Sequence, residues 1–180
     1  MSQSIFYNLD ELEKLAVNIF YGMGYNFYRA ENQLRQDDQI ARARVSSSLG
    51  ASRKVLEDVQ SRYRQKFLPP PTREKPSPDP EAVAAARMLE ELSGRIGKLE
   101  GLIRTLPVPG NDRMTQRYRQ EAETLRDLGV CDTRLVGQAE TLRIWLDGKE
   151  YAWLLENEPA IVAALSEMGQ QVRTRQMLLQ

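Results

Sequence analysis

The sequence predicts an all-α fold, an antiparallel helical bundle with one or two long coiled-coil-like helices. Apolar residues recur in steps of three and four over most of the 180 positions, which is the period of a helix face. The prolines divide the chain instead of interrupting those runs, since 6 of the 9 fall between residues 68 and 80. No unit of about 20–50 residues repeats, which argues against a solenoid.

The first helix starts at Asn8, whose side chain suits the early backbone amides. Glu11 completes a capping box, and Tyr7 with Leu12 forms a hydrophobic staple. Leu12, Ala16, Ile19, Met23, Phe27, Ala30 and Leu34 line one face. The stripe resumes in the same phase at Ala41, Val45, Leu49, Leu56, Val59 and Tyr63. One long helix to about residue 66 is therefore favoured over two helices meeting at Ser46-Ser47-Ser48-Leu49-Gly50, although serine and glycine weaken the run there. Residues 68–79 are a proline-rich linker of polyproline type. The expected organisation is thus a long helix or bent pair over 1–67, the linker at 68–79, and further helices over 80–180 packing with the first as one domain.

Asp79 caps the second helix, with Pro80 at the first helical position, where a missing amide costs little. Ala82, Ala85, Leu89, Leu92, Ile96, Leu99, Ile103 and Leu106 form a heptad seam. A third helix is expected from Asn111 or Asp112 to Leu128, with Met114, Tyr118 and Leu125 inward and Gly129 closing it. A fourth starts at Asp132 or Thr133 and carries Leu135, Leu142, Trp145 and Leu146. Asp147-Gly148 either ends that helix or turns a short hairpin, and the helical surroundings favour the helix. Asn157 caps the last helix, in which Ile161, Leu165, Met168, Val172 and Leu179 share a face.

Composition removes most catalytic machinery. There is no histidine and one cysteine, Cys131, so histidine-based triads, histidine metal sites and thiolate clusters within one chain are excluded. No glycine-rich phosphate loop appears, because Gly22-Met23-Gly24 sits inside a helical pattern and precedes tyrosine. No cofactor and no metal is expected. The lone cysteine and the lack of a secretory or membrane-spanning pattern lead to the expectation of a cytoplasmic protein without a membrane span.

Two surfaces remain as candidates. The first 28 positions hold 7 of the 13 aromatic residues. Tyr21, Tyr25 and Tyr28 form one helical ridge flanked by Arg29, and Glu31 and Asp38 extend it. Tyrosine and arginine dominate binding hot spots, so these six residues are the candidate contact for a protein partner or a second copy. On the apolar seam between Leu34 and Ala41 stands Asp37 or Asp38, a carboxylate that burial obliges to pair, with Arg35 and Arg42 at hand. The leading functional expectation is a helical interaction module, such as an adaptor, assembly factor or regulatory subunit, without catalytic activity.

The second surface is electrostatic. The chain is neutral overall, yet residues 40–75 carry 9 basic and 3 acidic side chains. Arg42, Arg53, Lys54, Arg62 and Arg64 offer an alternative, a nucleic-acid-binding helix over 42–66. A sequence pI near 6.4 and a single nearby aromatic, Tyr63, speak against it. An enzyme with a Tyr/Arg/carboxylate site on the first helix is the remaining alternative.

Overall fold

The computed structural model describes residues 12, 14–16, 31–73, 76–106 and 118–178, and the chain is helical throughout them except at its connections. Among the described residues from 31 onward, five helices follow one another: α1 (Glu31–Phe67), α2 (Pro80–Arg104), α3 (Tyr118–Leu146), α4 (Tyr151–Glu156) and α5 (Glu158–Met177). Leu12 and residues 14–16 are also helical. Among the described residues there is no strand, and no helix is long and apolar enough to cross a membrane.

α1 runs unbroken through the serine–glycine stretch, as the shared phase of its two stripes requires. Ala41, Val45, Leu49, Leu56, Val59 and Tyr63 are all buried. The serines do not unravel it because their hydroxyls have other partners. Ser52 Oγ donates to the Ser48 carbonyl at 2.9 Å, and Ser46 and Ser48 donate to glutamates on neighbouring helices.

α2 begins as its sequence dictates, with the Asp79 carboxylate accepting from the Glu81 amide and Pro80 at the first position. Leu89, Leu92, Ile96, Leu99 and Ile103 are buried, but Ala86 takes the deep position assigned to Ala85, which is only half-buried. Ser93 and Glu100 are buried beside the seam. The inward face of α2 is therefore wider than a two-position stripe, because more than one helix covers it.

Gly129 does not close a helix. α3 passes straight through it, and the expected separate start at Asp132 or Thr133 is absent. Gly129 has no positive φ, Thr133 Oγ1 returns to its carbonyl at 2.8 Å, and Asp132 is drawn into a buried ion pair instead of a cap. The chain does stop after Leu146, where Gly148 takes φ +65 in a turn, and no hairpin forms. Asn157 occupies the position before α5, but its side-chain amide donates backward to the Trp153 carbonyl and caps nothing. The expected start near Asn8, the Gly22/Gly24 pair, the start at Asn111 or Asp112, Met114 and Leu179, and the side chains of Tyr118 and Leu125, lie outside the described residues.

Cross-links fix the directions. Arg42 reaches the Leu106 carbonyl and Gln60 reaches Glu90, so α1 and α2 are antiparallel. Ser48 meets Glu140, while Arg175 meets both Asp38 and Asp132. α3 therefore runs with α1, and α5 runs against both. Packing joins α1 to α2 and α3, and α5 closes the ring against α2 and α3. Directions alternate along the chain, yet α1 and α3 are parallel neighbours, and so are α2 and α5. At the far end of α1, Tyr63 packs on Phe67 and Tyr151 at 4.6 and 5.1 Å between ring centroids, tying α4 across the bundle.

Candidate functional site

Three polar constellations break the apolar interior, and a groove marks its outside. The deepest constellation lies where the start of α1 meets α3 and the end of α5. Arg175 is 0% exposed. Its Nε donates to Asp132 Oδ1 at 2.8 Å and its Nη2 to Asp38 Oδ1. Arg42 Nη2 donates to the other Asp38 oxygen at 2.8 Å, and its Nη1 to the Leu106 carbonyl at 2.9 Å. One carboxylate thus holds two helices and, through Arg42, the end of a third. Burial pushes the Asp132 carboxyl up to about 7 against the opposing charge of Arg42. Burial also lowers Arg175 from its ordinary value. Asp38, Asp132 and Arg175 are sealed from solvent, and the half-buried Arg42 completes a clamp that holds the helices together.

Two matching joints lie on either side of α1. Glu100 on α2 accepts from Ser46 at 3.1 Å and pairs with Arg104 at 2.6 Å. Glu140 on α3 accepts from Ser48 at 2.9 Å and from Arg143 at 2.7 Å, with Arg44 at 3.5 Å. Burial raises the Glu140 carboxyl, but hydrogen bonds from Arg143 and Ser48 outweigh it and hold the group below its ordinary value. Small serines on α1 let each glutamate reach inward, where a larger side chain would fill the space.

Of the residues singled out for a partner, Asp38 belongs to the buried clamp and Glu31 opens α1. Tyr21, Tyr25, Tyr28 and Arg29 lie outside the described residues. Arg42, Arg53 and Arg64 fall on one side of α1, and Arg62 lies opposite them. Arg42 is engaged in the clamp, Arg53 pairs with Glu57 at 2.8 Å, and Arg62 stands 3.9 Å from Glu150. Lys54 and Arg64 are exposed. Nine residues separate Arg53 from Arg62, which puts them on opposite sides of the helix.

The groove was not anticipated. It lies between the parallel helices α2 and α5, encloses about 690 Å³, and spans residues 91–102 of one wall and 162–173 of the other. Leu99, Leu102, Val162 and Leu165 supply its apolar surface, and Gly94, Ser166 and Gly169 its narrow points. Arg95, Lys98 and Arg173 stand at the rim with Glu91. All four rim residues are exposed, and among the described residues none of the three cations has an ion-pair partner.

The two glycines are the informative members. A Cβ at Gly94 would meet nothing within 4 Å, and one at Gly169 only Arg173 Nη1 at 4.0 Å. A helical glycine costs roughly 1 kcal/mol relative to alanine, and among the described residues no packing contact requires either. Gly137 supplies the contrast. A Cβ there would lie 2.8 Å from the Leu12 carbonyl oxygen, so this glycine admits the N-terminal segment against α3.

Cys131 is buried, and burial pushes its thiol up, away from the reactive thiolate. Among the described residues no three potential ligands cluster for a metal ion. Comparison with protein-family models, with characterised proteins and with solved structures finds no match.

Proposed function

We propose that this chain is a helical protein–protein interaction module, an adaptor, assembly factor or regulatory subunit, that performs no catalysis of its own. The observation that carries the reading is the α2–α5 groove, an open concave strip with an apolar floor and glycines that no contact among the described residues requires. Leu102, 50% exposed on a helix whose other leucines at 89, 92 and 99 are buried, is the natural anchor for a partner. The close pairing of α1 with α2 is coiled-coil-like in this reading and serves as the rigid frame that holds the groove. In this reading Tyr21, Tyr25, Tyr28 and Arg29 supply a second contact for a partner or another copy.

Nucleic-acid binding has weaker support. Arg42 is committed to internal contacts, and Arg53 and Arg62 sit on opposite sides of α1.

Site-specific photocrosslinking tests the module reading in the cells that make the protein. A photoreactive residue replacing Leu102 should give a discrete covalent adduct, absent when it replaces the exposed Ala51 on α1 and lost when Gly94→Leu is added. Equal labelling from both positions, or none from either, would overturn the proposal.

A further inference from the structure

We infer that the α2–α5 groove receives one acidic amphipathic helix of a partner protein. The inference rests on the module reading and specifies what the module holds. Shape comes first. Both walls are helices running in the same direction, and the strip between them is about 16 Å long, or three helical turns. A third helix laid along it contacts both walls at once. Gly94 and Gly169 let its backbone come close, because neither position holds a side chain that would keep it away. Leu102 and the half-buried Val162, above a floor closed by the buried Leu99 and Leu165, would meet a single apolar stripe on the incoming helix, at spacings of three and four residues.

Charge then selects the occupant. Three exposed cations, Arg95, Lys98 and Arg173, border the strip against the one carboxylate of Glu91. Without an ion-pair partner among the described residues, they leave the rim with a net positive field, complementary to aspartate and glutamate flanking an apolar stripe. A nucleic acid fits poorly, because the floor is aliphatic and no aromatic residue lines it for base stacking.

The test uses the full chain and a display library of helices about three to five turns long. Each member has a leucine stripe of period three and four, and flanking positions drawn equally from glutamate, lysine and serine. Glutamate-rich helices should be selected. Their affinity should fall at least about tenfold in the double variant Arg95→Glu with Lys98→Glu, and should weaken with added salt. Gly94→Leu should abolish binding without lowering the melting temperature, since the added side chain enters open space. Gly169→Leu repeats that block from the opposite wall. Selection of lysine-rich or uncharged helices, or of none, would overturn the inference. Concentration-dependent self-association that Gly94→Leu abolishes would overturn it too, because the occupant would then be a second copy. A persisting adduct from position 102 separates these failures from failure of the module reading itself.

Discussion

Arg175 Nε donates to Asp132 Oδ1 at 2.8 Å across the junction of α3 and α5, with both side chains sealed from solvent. The same guanidinium reaches Asp38 on α1, so one side chain near the end of the chain locks three helices. Removing it leaves two carboxyl groups buried with one cation, Arg42, between them. Arg175→Ala should therefore destabilise the fold by about 3–5 kcal/mol, and Arg175→Lys should not restore it, because a single ammonium cannot reproduce the fork. Urea denaturation of both variants measures this. A loss below about 1 kcal/mol in Arg175→Ala would show the clamp to be dispensable.

Asp132 and Glu140 should impose opposite pH dependences. The folded-state value of Asp132 is raised from 3.8 to about 7, so the native state holds its proton more tightly than the unfolded chain. Its contribution is full below 3.8 and disappears as pH rises through about 7. Glu140 is lowered from 4.5, so its contribution is present above that value and is lost as pH falls through its folded-state value. Asp132→Asn keeps an acceptor for Arg175 and removes the titration. Stability measured from pH 4 to 7 should decline less steeply in that variant than in the parent. Superimposable slopes would mean that Asp132 does not titrate there.

Much of the frame was legible from periodicity. The stripe from Ala41 to Tyr63 gave an unbroken α1, and the Asp79-Pro80 pair gave the start of α2. Failures came where a residue had two uses. Gly129 and Asp132 look like a helix stop and a helix start, but Asp132 is needed by Arg175, 43 positions away, and local spacing carries no trace of that demand. The expected pairing of Asp38 named Arg42 and missed Arg175, for the same reason. Arg175 continues the α5 face of Met168 and Val172 at the next inward position, yet an arginine on an apolar stripe reads as a boundary until its carboxylates are known. The groove depends on which faces α2 and α5 leave uncovered, which follows from bundle topology and not from either helix alone.

Glycines on the same helices should respond oppositely to one methyl group. Gly129→Ala and Gly94→Ala add a Cβ with nothing within 4 Å, so each should stabilise the protein by up to about 1 kcal/mol through better helix propensity. Gly137→Ala places its Cβ 2.8 Å from the Leu12 carbonyl oxygen, which is backbone and cannot swing aside. It should destabilise by about 1–3 kcal/mol as the N-terminal segment is pushed off α3. Melting of the three variants side by side tests the assignment. A Gly137→Ala variant as stable as the parent would mean that this contact contributes nothing.

Two leucines of α2, ten positions apart, should separate folding from binding. Leu92 is 1% exposed and belongs to the core, whereas Leu102 is 50% exposed and lines the groove. Leu92→Asp buries a carboxylate without a partner, at a cost of several kcal/mol that rivals the whole stability of a domain. It should leave the chain largely unfolded by circular dichroism. Leu102→Asp places the same group in water, where surface substitutions usually shift stability by no more than about 0.5 kcal/mol. Its melting temperature should match the parent, while its affinity for a glutamate-rich helix falls at least about tenfold, through loss of an apolar anchor and gain of a like charge. Unfolding of Leu102→Asp would place Leu102 among the residues that hold the bundle together. Undiminished affinity in a folded Leu102→Asp variant would remove Leu102 from the binding surface.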